Sequence, residues 1–304
     1  MTKNLVHILE VGARDGLQNE PGVVSTPDKI ALINRAVAAG IRRLEVASFV
    51  HPGRVPQMAD AEAVVAGLPE HEGVSYIGLV LNKKGALRAL ATRVHELGCV
   101  VVATDSFGQK NQGQTIVEGI AAARDILRLA HDHGRRAQVT IAASFGCPFE
   151  GEVPAERVLD IAEQLAEAGP IEIALADTIG VGVPAQVHDL FGQLRERLPD
   201  MPLRAHFHNT RNTGIANAMA AIEEGVVTLD ASLGGIGGCP FAPKATGNIA
   251  TEDLLYLLDR SGLVSGVDLD QVIASAHWLA DMLGRPVPGL VSKAGGFPKP
   301  IRAE

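Results

Sequence analysis

Two histidines one residue apart, His206 and His208, sit in the run Arg204-Ala-His-Phe-His-Asn209. The residues before them, Pro202-Leu-Arg-Ala205, read as the start of a short strand. Alternate side chains of a strand face the same way, so both imidazoles project together and Phe207 faces away. Neutral imidazole is a frequent metal ligand, and the pair offers two nitrogens to one divalent ion. Two unrelated polar residues at a strand end would give the same letters, so the neighbouring segments have to decide.

Several other segments carry reactive residue types. Near the N-terminus stands Glu10-Val-Gly-Ala-Arg14-Asp15-Gly-Leu-Gln18-Asn19-Glu20. Asp15 offers a hard oxygen ligand and Arg14 a planar fork for a carbonyl or carboxylate; an ordinary ion pair in a turn is the other reading. Glu45 lies inside the apolar run Leu44–Ser48, either aimed into a site or exposed on a surface. Ala174-Leu-Ala-Asp177-Thr178-Ile-Gly180-Val-Gly182 ends an apolar stretch in an Asp–Thr step, which suits a ligand-facing turn or a helix-capping one. Gly234-Gly-Ile-Gly-Gly-Cys239-Pro-Phe-Ala-Pro-Lys-Ala-Thr-Gly247-Asn248 is dense in glycine and holds one thiol. Its glycines allow close backbone approach to a ligand or motion as a lid. Cys239 is either a buried filler or a reactive loop thiol; Cys99 and Cys147 read as structural. Asp15, His206, His208 and the amide oxygen of Asn248 make a mixed N/O set suited to Mg2+, Mn2+ or Co2+. The absence of thiols from that set argues against structural zinc.

These residues need elements to position them. Short apolar runs predict strands at Val6–Val11, Arg43–Ser48, Ser75–Val80, Cys99–Thr104, Ala137–Ala143, Ile171–Asp177, Leu203–His208 and Thr228–Leu233. Amphipathic runs predict helices at Pro27–Ala39, Ala59–Gly67, Lys84–Leu97, Ile116–His133, Ala155–Ala168, Ala185–Leu198, Thr213–Glu224 and Thr251–Leu258. Gly40, Gly98, Gly134, Gly169 and Gly225 stand where helices should stop. Eight strand–helix units in 304 residues predict an α/β chain with a (β/α)8 TIM barrel; a doubly wound open sheet is the alternative. Active sites of such barrels lie at the C-terminal strand ends, where the polar residues above fall. Asp268–Leu283 predicts one additional C-terminal helix. Residues 1–285 then form a single catalytic domain, and 286–304 a Gly/Pro-rich tail that reads as irregular.

Composition narrows the function. Hydrophobic residues make up 46%, enough for a large core. The net charge of −8 argues against nucleic acid as a partner. Three widely spaced cysteines resemble no disulfide framework. No apolar stretch approaches the roughly 18 residues of a membrane span, and no leader pattern opens the chain. The expectation is a soluble cytoplasmic protein with no membrane partner.

Glu10–Glu20, Leu44–Pro56, Ala176–Gly182, His206–Asn209 and Gly237–Leu257 together resemble the 3-hydroxy-3-methylglutaryl-CoA lyase family, over about residues 5–285. The most specific block is Gly-Gly-Cys239-Pro-Phe-Ala-Pro-Lys-Ala-Thr-Gly-Asn248-Ile-Ala-Thr-Glu252-Asp253. Related barrel aldolases and synthases share only the Arg-Asp step and the His-x-His pair. The resemblance implies retro-Claisen cleavage of a 3-hydroxyacyl-CoA to acetyl-CoA and acetoacetate or a related oxo acid, and a place in leucine degradation. It implies that Asp15, His206, His208 and Asn248 hold a divalent cation, Mg2+ or Mn2+, which binds the substrate oxygens. It further implies that Arg14 polarises the thioester carbonyl and that Cys239 helps protonate the enolate. Glu45 and Asp177 match acid/base and positioning carboxylates, and Gln18, Ser48, Asn111 and Thr178 match positions lining the substrate pocket. A homodimer is also implied. The chain departs from the family pattern at Asn209, Arg211, Thr140 and Pro21. A smaller residue at 140 widens the acyl pocket, which keeps citramalyl-CoA and longer 3-alkyl-3-hydroxyglutaryl-CoA esters open as substrates. A CoA-free hydroxy-oxo-acid aldolase has no need of Cys239, and a non-catalytic binding barrel needs few of these residues.

Overall fold

The computed structural model describes residues 5–239 and 242–298; the side chains of residues 239–246 fall outside the description. Eight parallel strands close on themselves in sequence order. They are β1 (His7–Glu10), β2 (Arg43–Ser48), β3 (Ser75–Leu79), β4 (Glu96–Val102), β5 (Arg136–Ala142), β6 (Ile173–Asp177), β7 (Leu203–Phe207) and β8 (Thr228–Ala231). Last pairs with first: His7 is aligned with Thr228 and Glu10 with Ala231. The helices are α1 (Thr26–Ala38), α2 (Ala61–Gly67), α3 (Lys83–Leu90), α4 (Asp105–Asn111), α5 (Ile116–Asp132), α6 (Ala155–Ala166), α7 (Pro184–Arg197), α8 (Gly214–Glu223), α9 (Thr251–Arg260), α10 (Leu269–Leu283) and α11 (Val291–Ala294). This is the (β/α)8 barrel expected from the strand count, with α10 as the additional C-terminal helix.

The main core lies between the strands and the helical ring. Val139, Ile141, Ile173 and Leu175 face outward onto Val158, Leu159, Ala162 and Leu165 of α6, all buried. The opposite strand faces point down the barrel axis and are far more polar. This alternation separates an apolar shell from a chemical interior, as the period of two requires.

Four expectations are corrected. The helix at Lys84–Leu97 ends at Leu90, and the fourth strand begins at Glu96 rather than Cys99. Glu96, which falls inside that expected helix, is fully buried in β4 and bonded to Arg43 and Arg136. Gly98 is therefore no helix stop; it lies within β4. A Cβ there would stand 3.3 Å from Glu45 Oε2, so its bare Cα makes room for that carboxylate. Helix α4 was not foreseen. The tail after 285, expected to be irregular, carries α11 and packs back on the barrel. Asp253 accepts from the amides of Leu290 and Val291, and Val287 is buried.

The glycine-rich loop after β8 rests on two buried carboxylates. Glu10 Oε1 accepts from the amides of Gly12 and Leu233, both at 2.8 Å, and Oε2 from Thr251 Oγ1 at 2.6 Å. Glu252 Oε2 accepts from Gly234 N at 3.0 Å. Burial pushes both acids up to about 7 from 4.5, against hydrogen bonds that lower them. Between about pH 4.5 and 7 the folded chain binds protons that the unfolded chain has released. These groups therefore reduce stability as pH rises through that window. Glu252→Gln mimics the protonated acid. Its melting temperature relative to wild type is expected to rise between pH 5 and 8, by the equivalent of about 1–3 kcal/mol. A difference independent of pH would remove Glu252 as the titrating group.

Candidate metal centre and active site

The residues after β1 form a single π-type turn, Gly12–Gly16, which sets Arg14 and Asp15 at the barrel mouth. Arg14 Nε donates to Glu45 Oε1, and Nη1 donates to Asp15 Oδ1 at 2.7 Å. One guanidinium thus ties the ends of β1 and β2 together. From β7, His206 and His208 project together with ring centroids 5.2 Å apart, while Phe207 packs outward in the core. Asp15, His206 and His208 each place one ligand atom within 4.8 Å of the others.

Asn248 reaches the cluster by backbone pairing. Residues 208 and 248 form an isolated antiparallel bridge, supported by Asn209 N to Gly247 O at 3.0 Å and Ile249 N to Phe207 O at 3.1 Å. Its Nδ2 donates to Asp15 Oδ2 at 2.9 Å and to Ile236 O at 3.1 Å. Two acceptors on the nitrogen fix the amide orientation and leave Oδ1 as the free lone-pair atom. Gly237 is required beside it: φ is +131°, and a Cβ would come within 2.6 Å of Asn248 Nδ2.

The residues present fit a divalent cation. Asn248 Oδ1 and His208 Nδ1 are buried, and neither has a hydrogen-bond partner among the described residues. An orphaned acceptor deep in a protein is costly, and Asn248 Oδ1 is one whose own amide nitrogen is bonded to Asp15; the His208 nitrogen that faces Asp15 is Nε2, 4.0 Å from Oδ2. Charge states agree with this. Asp15 is held down at about 2: burial opposes ionisation, and Arg14 and the two imidazoles outweigh it. His208 is pushed to about 4 by burial and by the neighbouring His206, so it is a neutral imidazole at neutral pH. His206 Nδ1 meets Asp230 Oδ2 at 3.0 Å, which leaves Nε2 as its ligand atom.

The other expected site residues divide. Glu45 joins the cluster through Arg14. Burial raises its proton affinity, opposed by the Arg14 charge and bond. Asp177 shares strand parity with the outward Ile173 and Leu175. Its carboxylate accepts from Val181 N at 3.0 Å and Gly182 N at 2.8 Å, so it shapes the turn after β6. The charge of His206 still reaches it, while burial raises its proton affinity overall. Thr178 Oγ1 accepts from Ala143 N at 2.9 Å, anchoring a residue held at φ +58°. Ser48 Oγ and Gln18 Oε1 are buried without a partner. Asn111 is exposed at the end of α4. The side chain of Cys239 lies outside the described residues. Cys99 and Cys147 are buried and free, and burial pushes the Cys99 thiol up to about 12. Asn82 caps α3, accepting from Gly85 N at 3.0 Å.

Asp230 was missed. It is the register partner of His206, and its signal was a lone carboxylate inside the apolar run Thr228–Leu233. The same signal had marked Glu45. Arg204 was quoted only as strand sequence, yet it is buried and bonded to Asp230.

Comparison with known proteins adds an independent line. The chain is 44% identical over 301 residues to the (R)-citramalyl-CoA lyase of Chloroflexus aurantiacus, covering 95% of both. It is 38% identical to the hydroxymethylglutaryl-CoA lyase YngG of Bacillus subtilis, covering 93% of this chain and 95% of that one. The crystal structure of the Bacillus subtilis HMG-CoA lyase superposes with a TM-score of 0.93 at 37% identity, over 97% of this chain and 99% of that one. An HMG-CoA lyase of Acinetobacter baumannii, in complex with coenzyme A and 3-methylmalate, gives 0.93 at 38% identity over 99% of each chain. Residues 5–278 match the HMGL-like family. With its barrel, its Asp/His cluster and near-full-length relatives in agreement, the chain belongs to the HMGL-like family.

Proposed function

We propose that this protein is a divalent-metal-dependent carbon–carbon lyase that cleaves a 3-hydroxy-3-methylglutaryl-CoA-type thioester to acetyl-CoA and acetoacetate. The observation that carries the reading is the Arg14 fork, which joins Asp15 of the Asp/His cluster to the buried Glu45. Mg2+ or Mn2+ held by Asp15, His206, His208 and Asn248 supplies Lewis acidity toward the substrate oxygens. The reaction must take the proton from the 3-hydroxyl, break C2–C3, and pass the electron pair into the thioester enolate, which is then protonated at C2. Glu45, with its raised proton affinity, suits proton transfer at the hydroxyl. Arg14 keeps its charge beside Glu45 and Asp15 and suits stabilisation of the enolate oxygen. Cys239 is the proton donor to C2. Asp177 and Thr178 hold the turn that borders the pocket, and Gln18, Ser48 and Asn111 complete its polar lining.

A second acyl group is supported by one relative: the Chloroflexus lyase acts by name on citramalyl-CoA. Thr140, expected to widen the acyl pocket, is instead tied to Arg204 Nη2 at 2.9 Å inside the barrel. We further place the protein in the cytoplasm as a homodimer, acting in leucine degradation where the methylglutaryl ester is its substrate. Among the described residues no helix is long and apolar enough to cross a membrane, and the net charge of −8 speaks against nucleic acid.

The test is acetyl-CoA release from 3-hydroxy-3-methylglutaryl-CoA, citramalyl-CoA and longer 3-alkyl-3-hydroxyglutaryl-CoA esters, with Mg2+ or Mn2+ and a chelator control. Chelator-sensitive cleavage is expected. No cleavage of any ester by folded, metal-loaded protein would move the assignment to a CoA-free hydroxy-oxo-acid aldolase. His208→Ala is expected to weaken Mn2+ binding by more than about 10-fold; unchanged metal content and turnover would remove the metal assignment. Cys239→Ala should lower kcat by about 100-fold or more with metal content intact. Near-normal turnover would take the thiol out of the mechanism.

A further inference from the structure

Charged side chains continue below the candidate metal centre, inside the barrel. Arg204 Nη1 donates to Asp230 Oδ2, the oxygen that His206 Nδ1 also meets. Arg204 Nη2 donates to Thr140 Oγ1 at 2.9 Å, and Nε stands 3.0 Å from Glu172 Oε1. Glu172 pairs with Arg43 at 2.9 Å, Arg43 with Glu96 at 2.8 Å, and Glu96 with Arg136 at 2.7 Å. Three arginines and three carboxylates alternate from the mouth of β7 to the start of β5. The registers explain how they meet. Thr140, Ala174 and Arg204 are aligned across β5, β6 and β7. Ala174 presents only a methyl group, so Arg204 can pass it to reach Thr140.

Of these contacts, one acts on a candidate ligand. A carboxylate can orient an imidazole only if its own position is fixed, and Asp230 is nearly fully buried, away from water that could hold it. Arg204 supplies that fixing bond. Its guanidinium is in turn held by a hydrogen bond to Thr140 Oγ1 and by the charge of Glu172, beside an Nε that makes no hydrogen bond among the described residues; lysine does not reproduce this planar fork.

We propose that Arg204 is a positioning residue for the metal centre, holding Asp230 beneath His206 so that Nε2 of that imidazole points at the shared site. The inference rests on the metal reading above and assigns a role to residues that touch neither metal nor substrate.

The experiment is Mn2+ binding by the full chain, with free Mn2+ followed by electron paramagnetic resonance and folding by thermal melt. Arg204→Met keeps length and removes the charge. Removing one partner of a buried ion pair leaves the other charge uncompensated, so a lowered melting temperature is expected of this variant and its binding is read on the folded fraction. Its Mn2+ dissociation constant should rise about 10–100-fold, and Arg204→Lys, which keeps a cation for Asp230 but not the fork, should recover only part of that loss. An unchanged dissociation constant in folded Arg204→Met overturns the proposal, whatever happens to its melting temperature, because a purely structural column moves only the melt. Should Arg204→Met not fold, Asp230→Asn carries the same test. A rise of at least about 10-fold supports the proposal, and an unchanged value overturns it. Wild-type protein that takes up no Mn2+ overturns the metal centre together with this inference. Wild-type protein that binds Mn2+ but cleaves no ester overturns only the substrate assignment.

Discussion

Asp15 is an ionised carboxylate in a place where burial works against charge, and the mouth of the barrel is arranged around keeping it so. Arg14 donates to one of its oxygens and Asn248 to the other. The charge of His206 adds to this, and together these outweigh desolvation. The same guanidinium serves Glu45, yet the balance there falls the other way, and burial leaves that acid with a raised proton affinity. One arginine therefore stands between a carboxylate fit to hold a cation and a carboxylate fit to exchange a proton. Environments that push two acids apart are how a site divides such roles.

That division depends on strand parity. His206 and His208 share a face because β7 is extended, and Asp230 meets His206 because the strands are in register. Asp177 lies on the outward parity of β6, and its carboxylate is engaged by the turn amides. The polar interior is also why the column from Arg204 to Arg136 exists. A parallel barrel whose inward positions were all Val and Ile could not orient an imidazole from below. Ala174 is the small residue that lets the column cross β6.

How much of this could be read from sequence follows from the range of each signal. Eight apolar runs with helices between them were legible because burial on two faces leaves a local pattern. The His-x-His pair, Arg14, Asp15 and Asn248 were legible because their types and strand-end positions speak for themselves, and a family resemblance added roles. Glu96 fell inside an expected helix, because a lone charge between Val94 and Leu97 reads the same on a helix surface and inside a barrel. Its partners Arg43 and Arg136 are distant in sequence. Asp230 and Arg204 were overlooked for a related reason: their meaning lies in register across strands, which no single stretch of sequence displays. The ordered tail escaped notice because its anchor, Asp253, lies more than 30 residues upstream of the backbone it holds.

The glycine loop brings these constraints together at Asn248. This residue is bonded to Asp15 by its side chain, bridged to His208 by its backbone, and pressed by Gly237 at the loop's own start. The loop carrying Cys239 leaves β8, is held by Asn19 Nδ2 at the Gly238 carbonyl, and returns to the candidate metal centre at Asn248. Its other end is held by Gly234, whose amide is bonded to Glu252 and whose carbonyl accepts from Gly289 in the tail at 2.9 Å. Any displacement of the loop at either anchor must also move Asn248 or the tail. A side chain at 237 would push directly on the amide that bonds Asp15. Glycine at that position thus serves the candidate metal centre as much as the loop, and the loop's return is coupled to Asp15 and His208 through the side chain and backbone of Asn248.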